Sequence, residues 1–334
     1  MLDNALYPLT FTPQLRDYVW GGRNLEQLYD RTLPPGITAE SWEISGHPNA
    51  PTIVDQGALK GQSLPQVLED FGEALVGSRA EWALARNKFP LLIKLLDANQ
   101  SLSVQVHPND AYGLAHEGGE LGKTEMWYVL HAEPDAKVVF GVKSGVTSEG
   151  FARAIAENRL ETQLHYQPIK AGDAIFVEAG SVHALLEGAV IAEIQQNSDI
   201  TYRVYDWGRL GNEGKPRELH VKKALEVINF SQVEPGPYQP QQIESTPDIS
   251  RSEISRCDYF VVEVVCLKKG STFQGCTTGE SLEIWGTTEG ISRVHHSQQS
   301  IPLPAIRFAL IPATLGEFTI QAETDCVLLR TYLP

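Results

Sequence analysis

Two antiparallel β jelly rolls carrying a few added helices are the fold class that the sequence predicts. Three observations point there. Short β-branched and aromatic runs recur along the chain, broken by Gly, Pro and Asp. Helical periodicity is confined to a few stretches. A strand, small-residue turn and strand near residue 180 return near residue 314. At 334 residues the chain has room for about two domains of roughly 150 residues, each able to bury a core without disulfides.

Taken in order, LPQVLEDFGEALV is the first helical stretch, followed by strand runs in PLLIKLLDA, LSVQVHP, EMWYVLHA and AKVVFGV. SEGFARAIAENRL is helical, with Phe151 and Ile155 four apart on one face. DAIFVEAG, AVIAEIQQ and YRVYDWG read as strands, RELHVKKALEVI as a helix, and YFVVEVVCL, RFALIPA, EFTIQAE and CVLLRTYL as strands again. Many evenly spaced strands suit jelly rolls, which cover their sheet edges. The repeat aligns AIFVEAGSVHALLEG with FALIPATLGEFTIQA, and places Glu317 where the first copy has His183. Between the copies, SQVEPGPYQPQQIESTPDIS holds four prolines and almost no apolar periodicity. The expected division is a metal-binding domain over 1–230 with helical insertions, a linker over 231–254, and a second domain over 255–334 without metal.

Lys and Arg number 27 against 42 Asp and Glu, a formal charge of −15. That balance repels nucleic acid and anionic lipid surfaces, so the expected partner is a small molecule, anionic only if cations are gathered locally. The opening MLDNALYPLTFTPQLRDYVWGG has no basic stretch leading into an apolar run, and no span of 18 apolar residues occurs. A cytoplasmic protein is expected. Cys257, Cys266, Cys276 and Cys326 form no CxxC pair and read as buried reduced thiols.

The chemistry concentrates in a few tracts. Along a strand every second side chain shares a face, which puts Ser103, Gln105 and His107 together, and likewise Lys123, Glu125 and Trp127. Taken singly, a strand histidine is more often a hydrogen-bonded core residue than a ligand, and Lys123 with Glu125 is an ordinary ion pair. In GDAIFVEAGSVHAL, His183 follows a small-residue turn, and Gly172, Gly180 and His183 resemble the second cupin motif, with Glu178 in place of its proline. An amide oxygen, a carboxylate and two imidazoles suit a borderline divalent ion. Zinc fits this set, and iron competes for the two His and one carboxylate.

Together, ESWEISGHPN, LLIKLLDANQSLSVQVHPND, GKTEMWYVL, GSVHALLEG and NSDITYRVYDWGR resemble the type I phosphomannose isomerases in order and spacing, strongly over residues 6 to 230. The resemblance implies two cupin-type jelly rolls and one Zn2+ per chain on Gln105, His107, Glu125 and His183. It implies an active-site arginine at Arg203, with Glu193 and Asp199 on the preceding segment, and Lys94, Ser103 and Lys123 facing the sugar phosphate. Arg203, Glu193 and Lys123 would be catalytic; Lys94, Ser103 and Asp199 would bind substrate. Two positions depart from the family: Arg209 stands where larger members carry a lysine, and Gly122 where some carry a histidine. The residues themselves agree that Lys94, inside apolar PLLIKLL, requires an anion or carboxylate beside it.

The implied reaction interconverts mannose 6-phosphate and fructose 6-phosphate through an enediol(ate), with Glu193 as base and Arg203 stabilising the oxyanion. The chain would act as a monomer or homodimer. Rival readings are an isomerase of another sugar phosphate and a non-catalytic bicupin that binds sugar or metal. An iron dioxygenase gives no reason for Lys94, Ser103 and Lys123.

Overall fold

A computed structural model of the chain describes residues 6–210 and 214–334; the first five residues of the opening segment read for a targeting signal lie outside the described residues. The chain forms two compact units, one of residues 15–41 and 94–238, the other of 1–14, 42–93 and 239–334. Strands dominate both, and helices are short. No described helix is long and apolar enough to cross a membrane.

A six-stranded sheet runs in the order Ala174–Val177, Glu125–Ala132, Ala189–Gln196, Leu91–Ala98, Glu40–Ser45 and Gln14–Arg16. A five-stranded sheet runs Tyr202–Tyr205, Val104–Val106, His183–Leu185, Lys137–Val142 and Leu164–Pro168. Glu125–Ala132 pairs antiparallel with both of its neighbours, and the strands of the five-stranded sheet pair antiparallel throughout. Leu96, Trp127 and Ile175 of the first sheet pack with Val138, Phe140 and Leu185 of the second, which makes a sandwich of the two inner faces. The other face of the five-stranded sheet is closed by helices: Phe151, Ala154 and Ala224 pack with Val106, Val139 and Val204. The helix Ser148–Ala156 is capped by Thr147, which accepts from Gly150 N, and the helix Asp110–His116, whose Tyr112 packs on the same cluster, is capped by Asn109, which accepts from Tyr112 N. With outward apolar positions covered by helix, the polar residues of these strands are left for the inside.

The second unit repeats the plan. Its six-stranded sheet runs Arg307–Ile311, Glu283–Glu289, Cys326–Tyr332, Val261–Leu267, Ile249–Arg256 and Gln241–Ser245, and its four-stranded sheet runs Thr272–Thr277, Gly316–Ala322, Ile291–His296 and Gln299–Pro304. Matched strand for strand, Ala174–Val177 and Arg307–Ile311 both end the long sheet, and the strand after the turn crosses to the other sheet in each case. Trp127 and Trp285 then occupy equivalent strands, both buried. Glu317, the counterpart of His183, is exposed. In place of polar ligands the second interior holds Arg330, which donates to Glu283 and Glu263 and lies over the rings of Phe273, Trp285 and Tyr332.

The units do not follow the expected chain division of 1–230, 231–254 and 255–334. The N-terminal segment joins the C-terminal one through reciprocal Leu9–Leu310 backbone hydrogen bonds of 2.8 Å each way. The helical stretch 64–84 joins it as well, since Leu282 N donates to Val76 O at 3.0 Å and Ala313 N to Leu75 O at 2.9 Å. Such pairings over hundreds of residues leave no local sequence signal. Within the proline-rich segment read as linker, Gln241–Ser245 and Ile249–Arg256 are strands. Gln241–Ser245 lies at the sheet edge and is largely exposed, so it needs no apolar alternation.

The turn before His183 depends on Gly180. Its φ of +92° is unfavourable for any side chain, and an added Cβ would meet Val227 O at 2.9 Å. Its N–H donates to His107 O at 2.8 Å, which ties this turn to the other histidine. Gly172, at φ +88°, has open space instead. Gly180→Ala is expected to cost on the order of 1–3 kcal/mol of folding stability, and more than Gly172→Ala. Urea denaturation of both variants checks this; an equal or smaller loss at Gly180 would show that the close approach does not matter.

Candidate metal centre and the cavity beside it

Three strands bring the donor set together. Gln105 sits mid-strand in Val104–Val106, with His183 opposite it on one side and Arg203 opposite it on the other. His107 follows on the same face, and Glu125 opens the strand of the facing sheet. His107, Glu125 and His183 place ligand atoms within 4.8 Å of one another, all buried. Glu125 Oε2 lies 3.6 Å from His107 Nε2, and Glu125 Oε1 lies 3.4 Å from His183 Nε2. Gln105 Nε2 is 3.3 Å from His183 Nε2, and a half-turn of its amide would present Oε1 there instead.

Both imidazoles are set for a cation. His107 Nδ1 lies 2.6 Å from Ile200 O and His183 Nδ1 lies 2.9 Å from Ser181 O. A carbonyl only accepts, so both protons sit on Nδ1 and both Nε2 lone pairs point inward. Burial holds His107 well below the ordinary histidine range, helped by Lys123, and burial also lowers His183, to about 4. His107 Nε2 and Glu125 Oε1 are buried with no hydrogen-bond partner. Two neutral nitrogens and an unsatisfied carboxylate oxygen in a dry site fit a divalent ion, because such orphaned atoms are otherwise costly. Burial first, then the charge of Glu193, pushes Glu125 up to about 7 in spite of Lys123.

A second carboxylate stands behind the first. Glu193 pairs in register with Trp127, and the Trp127 indole donates to Glu193 Oε2 at 2.9 Å. Lys94 Nζ and Lys123 Nζ each lie 3.7 Å from Glu193 Oε1. Burial opposes its ionisation, but Lys123 and then Lys94 outweigh that and hold Glu193 below the usual carboxylate range. Lys123, 2.7 Å from Glu125 Oε2, is raised above its ordinary value: the two carboxylates overcome its burial. The buried ammonium of Lys94 is met by Glu193 and, at 3.8 Å, by Glu40. Carboxylates of the chain itself thus supply the partner that its apolar strand required.

From this cluster opens a cavity of about 230 Å³. Lys94, Lys123, Arg203 and Arg217 line it against Glu40, Glu193 and Asp199, so cations outnumber carboxylates four to three in a strongly acidic chain. Ser103 and Gln105 line it too, with Tyr18, Trp20 and Leu102 as less polar wall. Arg203 Nε donates to Ser103 Oγ at 3.2 Å. Burial, then Arg217, pulls Arg203 below its ordinary value, against Asp206 and Glu218. Asp199 is exposed at the cavity wall.

All ten residues singled out in the sequence therefore stand in this cluster or on the cavity. Arg217, Glu40 and Trp20 were missed. Glu40 lay in view, at the start of the buried strand Glu40–Ser45, whereas Arg217 follows a turn and has no periodic signal. Arg209 is absent from the cavity wall; it donates to Asp206 and to Ser101 O. Gly122 admits no side chain, since a Cβ would meet Asn109 C at 2.4 Å and Asp110 N at 2.5 Å.

Comparison with known proteins places these features. Residues 9–122 match the family model for the catalytic domain of type I phosphomannose isomerase. Mannose-6-phosphate isomerase ManA of Bacillus subtilis (strain 168) is 36% identical over 322 residues, which covers 96% of this chain and 98% of that protein. The crystal structure of the mannose 6-phosphate isomerase from Bacillus subtilis superposes with a TM-score of 0.87 at 33% identity, covering 98% of this chain and 99% of that one. A putative mannosephosphate isomerase from Archaeoglobus fulgidus, 23% identical, shares the fold over the whole chain at a TM-score of 0.76 and 99% coverage of its own. With a relative this similar matched from end to end, and the cupin fold in common, the chain belongs to the type I phosphomannose isomerases.

Proposed function

We propose that this chain interconverts mannose 6-phosphate and fructose 6-phosphate, with one zinc ion held by Gln105, His107, Glu125 and His183. The observation that carries this reading is the continuity of the buried donor cluster with a small cavity rich in cations. Gln105, Lys123 and Glu193 border both. Such a cavity suits one anionic sugar, and its wall gathers positive charge against the field of the whole protein.

Zinc, when bound, would polarise the sugar's oxygens as a Lewis acid. The chain's own residues supply the rest. Isomerisation moves a proton between C1 and C2 of the open-chain sugar, and needs a base and a positive centre for the enediolate oxygens. Glu193, kept ionised by two lysines, is available to accept the proton, with Trp127 fixing one of its oxygens. Lys123 remains an ammonium and acts as a charge, not a base. Arg203 stabilises the developing oxyanion, while Lys94, Ser103 and Asp199 hold and orient the substrate. The four unbridged cysteines support a reducing, cytosolic setting, with the chain a monomer or homodimer.

Two measurements test this. Removing Arg203 takes away charge used as the enediolate forms, so Arg203→Ala should lower kcat by on the order of 100- to 1000-fold, about 3–4 kcal/mol. KM should change little and zinc content not at all. A fully metallated variant with unchanged kcat would overturn the role of Arg203. Separately, prolonged chelation should abolish conversion of mannose 6-phosphate and added zinc should restore it. Activity that survives complete metal removal, or returns only with ferrous iron, would refute the zinc assignment.

A further inference from the structure

The backbone of Arg203 lies on the outermost strand of its sheet, where one row of N–H and C=O groups has no neighbouring strand. At Arg203 those two groups are taken up by one residue. The backbone N–H of His220 donates to Arg203 O at 2.7 Å, and Arg203 N–H donates to His220 Nδ1 at 3.3 Å. Glu218 O accepts from Arg203 Nη1 at 3.0 Å, so the same short segment holds the guanidinium. A backbone N–H cannot accept, hence Nδ1 must carry the lone pair and His220 must be neutral, with its proton on Nε2.

We propose that His220 is the positioning residue for Arg203, and that its protonation unlatches Arg203 and switches catalysis off in acid. A proton on Nδ1 would set one N–H against another, losing the bond and pushing the strand away. The inference rests on the reading of Arg203 as the oxyanion donor. Charged groups act on His220 from several elements: Glu218 and Arg203 most strongly, then Lys223 from the helix Val221–Val227 and Glu117 after the helix Asp110–His116. The Tyr202 ring centroid lies 6.3 Å away. Burial lowers the pKa of His220, with Arg203 and Lys223 adding to it against Glu218 and Glu117. The neutral latch therefore holds at neutral pH, and is lost as pH falls through a value below that of an ordinary histidine.

The zinc-loaded enzyme with His220→Phe, His220→Asn and Arg203→Ala tests this. Phe keeps a ring without an acceptor; kcat should fall on the order of 10- to 100-fold, as for a misplaced catalytic group, with KM and zinc content little changed. Asn keeps an acceptor that does not titrate; kcat should stay near that of the unmodified enzyme and the acid step of the pH–kcat profile should disappear. If Phe destabilises the fold, the Asn profile alone decides. Normal kcat in His220→Phe beside an impaired Arg203→Ala would overturn this inference and leave the role of Arg203 standing. Normal kcat in Arg203→Ala would overturn both, and an unchanged acid step in His220→Asn would assign the titration elsewhere and refute the latch.

Discussion

The confinement of Glu125 in a dry pocket between two neutral imidazoles is the constraint on which the rest of the site depends. A buried carboxylate without full compensation is expensive. Lys123 provides one counter-charge, but Lys123 is shared with Glu193, and Glu193 is shared in turn with Lys94. The cluster is thus a chain of alternating charges in which no member can be removed without stranding the next. Its geometry follows from β structure alone: period-two spacing puts alternate residues on the inner face, and antiparallel register fixes which of them meet.

That dependence explains why much of the site was legible in the sequence. Gln105 and His107 are two residues apart in one strand, Lys123 and Glu125 two apart in another, and His183 follows a turn that glycine makes possible at Gly180. Local pattern placed these residues on shared faces, and the family resemblance grouped them into one set with Glu193, Asp199 and Arg203. It did not deliver their pairing, because Lys94 to Glu40, Trp127 to Glu193 and Arg203 to Ser103 cross between strands whose register is set by the whole sheet. The strand content and the repeat were legible for the same reason. The unit boundaries were not, because Leu9 with Leu310 and Leu75 with Ala313 are backbone pairings that any apolar residues could make.

Glu193 is where a residue's role depends on its neighbours more than on its type. A buried carboxylate left to itself would be protonated and would serve as an acid. Two ammonium groups and an indole N–H reverse that, and leave an anion that faces the cavity while balancing its cations. Without it, Lys94 and Lys123 would repel each other in the same dry space. The cavity can therefore be cationic towards a ligand and still be tolerable to the fold.

The second unit answers its interior charge with its own side chains. Where the first sets Glu193 against Trp127, the second sets Arg330 opposite Trp285, and the guanidinium is answered by Glu283 and Glu263 and sandwiched by aromatic rings. Its positive charge is covalently part of the chain. One half of the molecule thus balances its interior charge with its own side chains, whereas the other leaves His107 Nε2 and Glu125 Oε1 buried without a hydrogen-bond partner, open to an ion. On the reading that this site holds zinc, supply of the ion would set how much working protein exists without any change in how much is made.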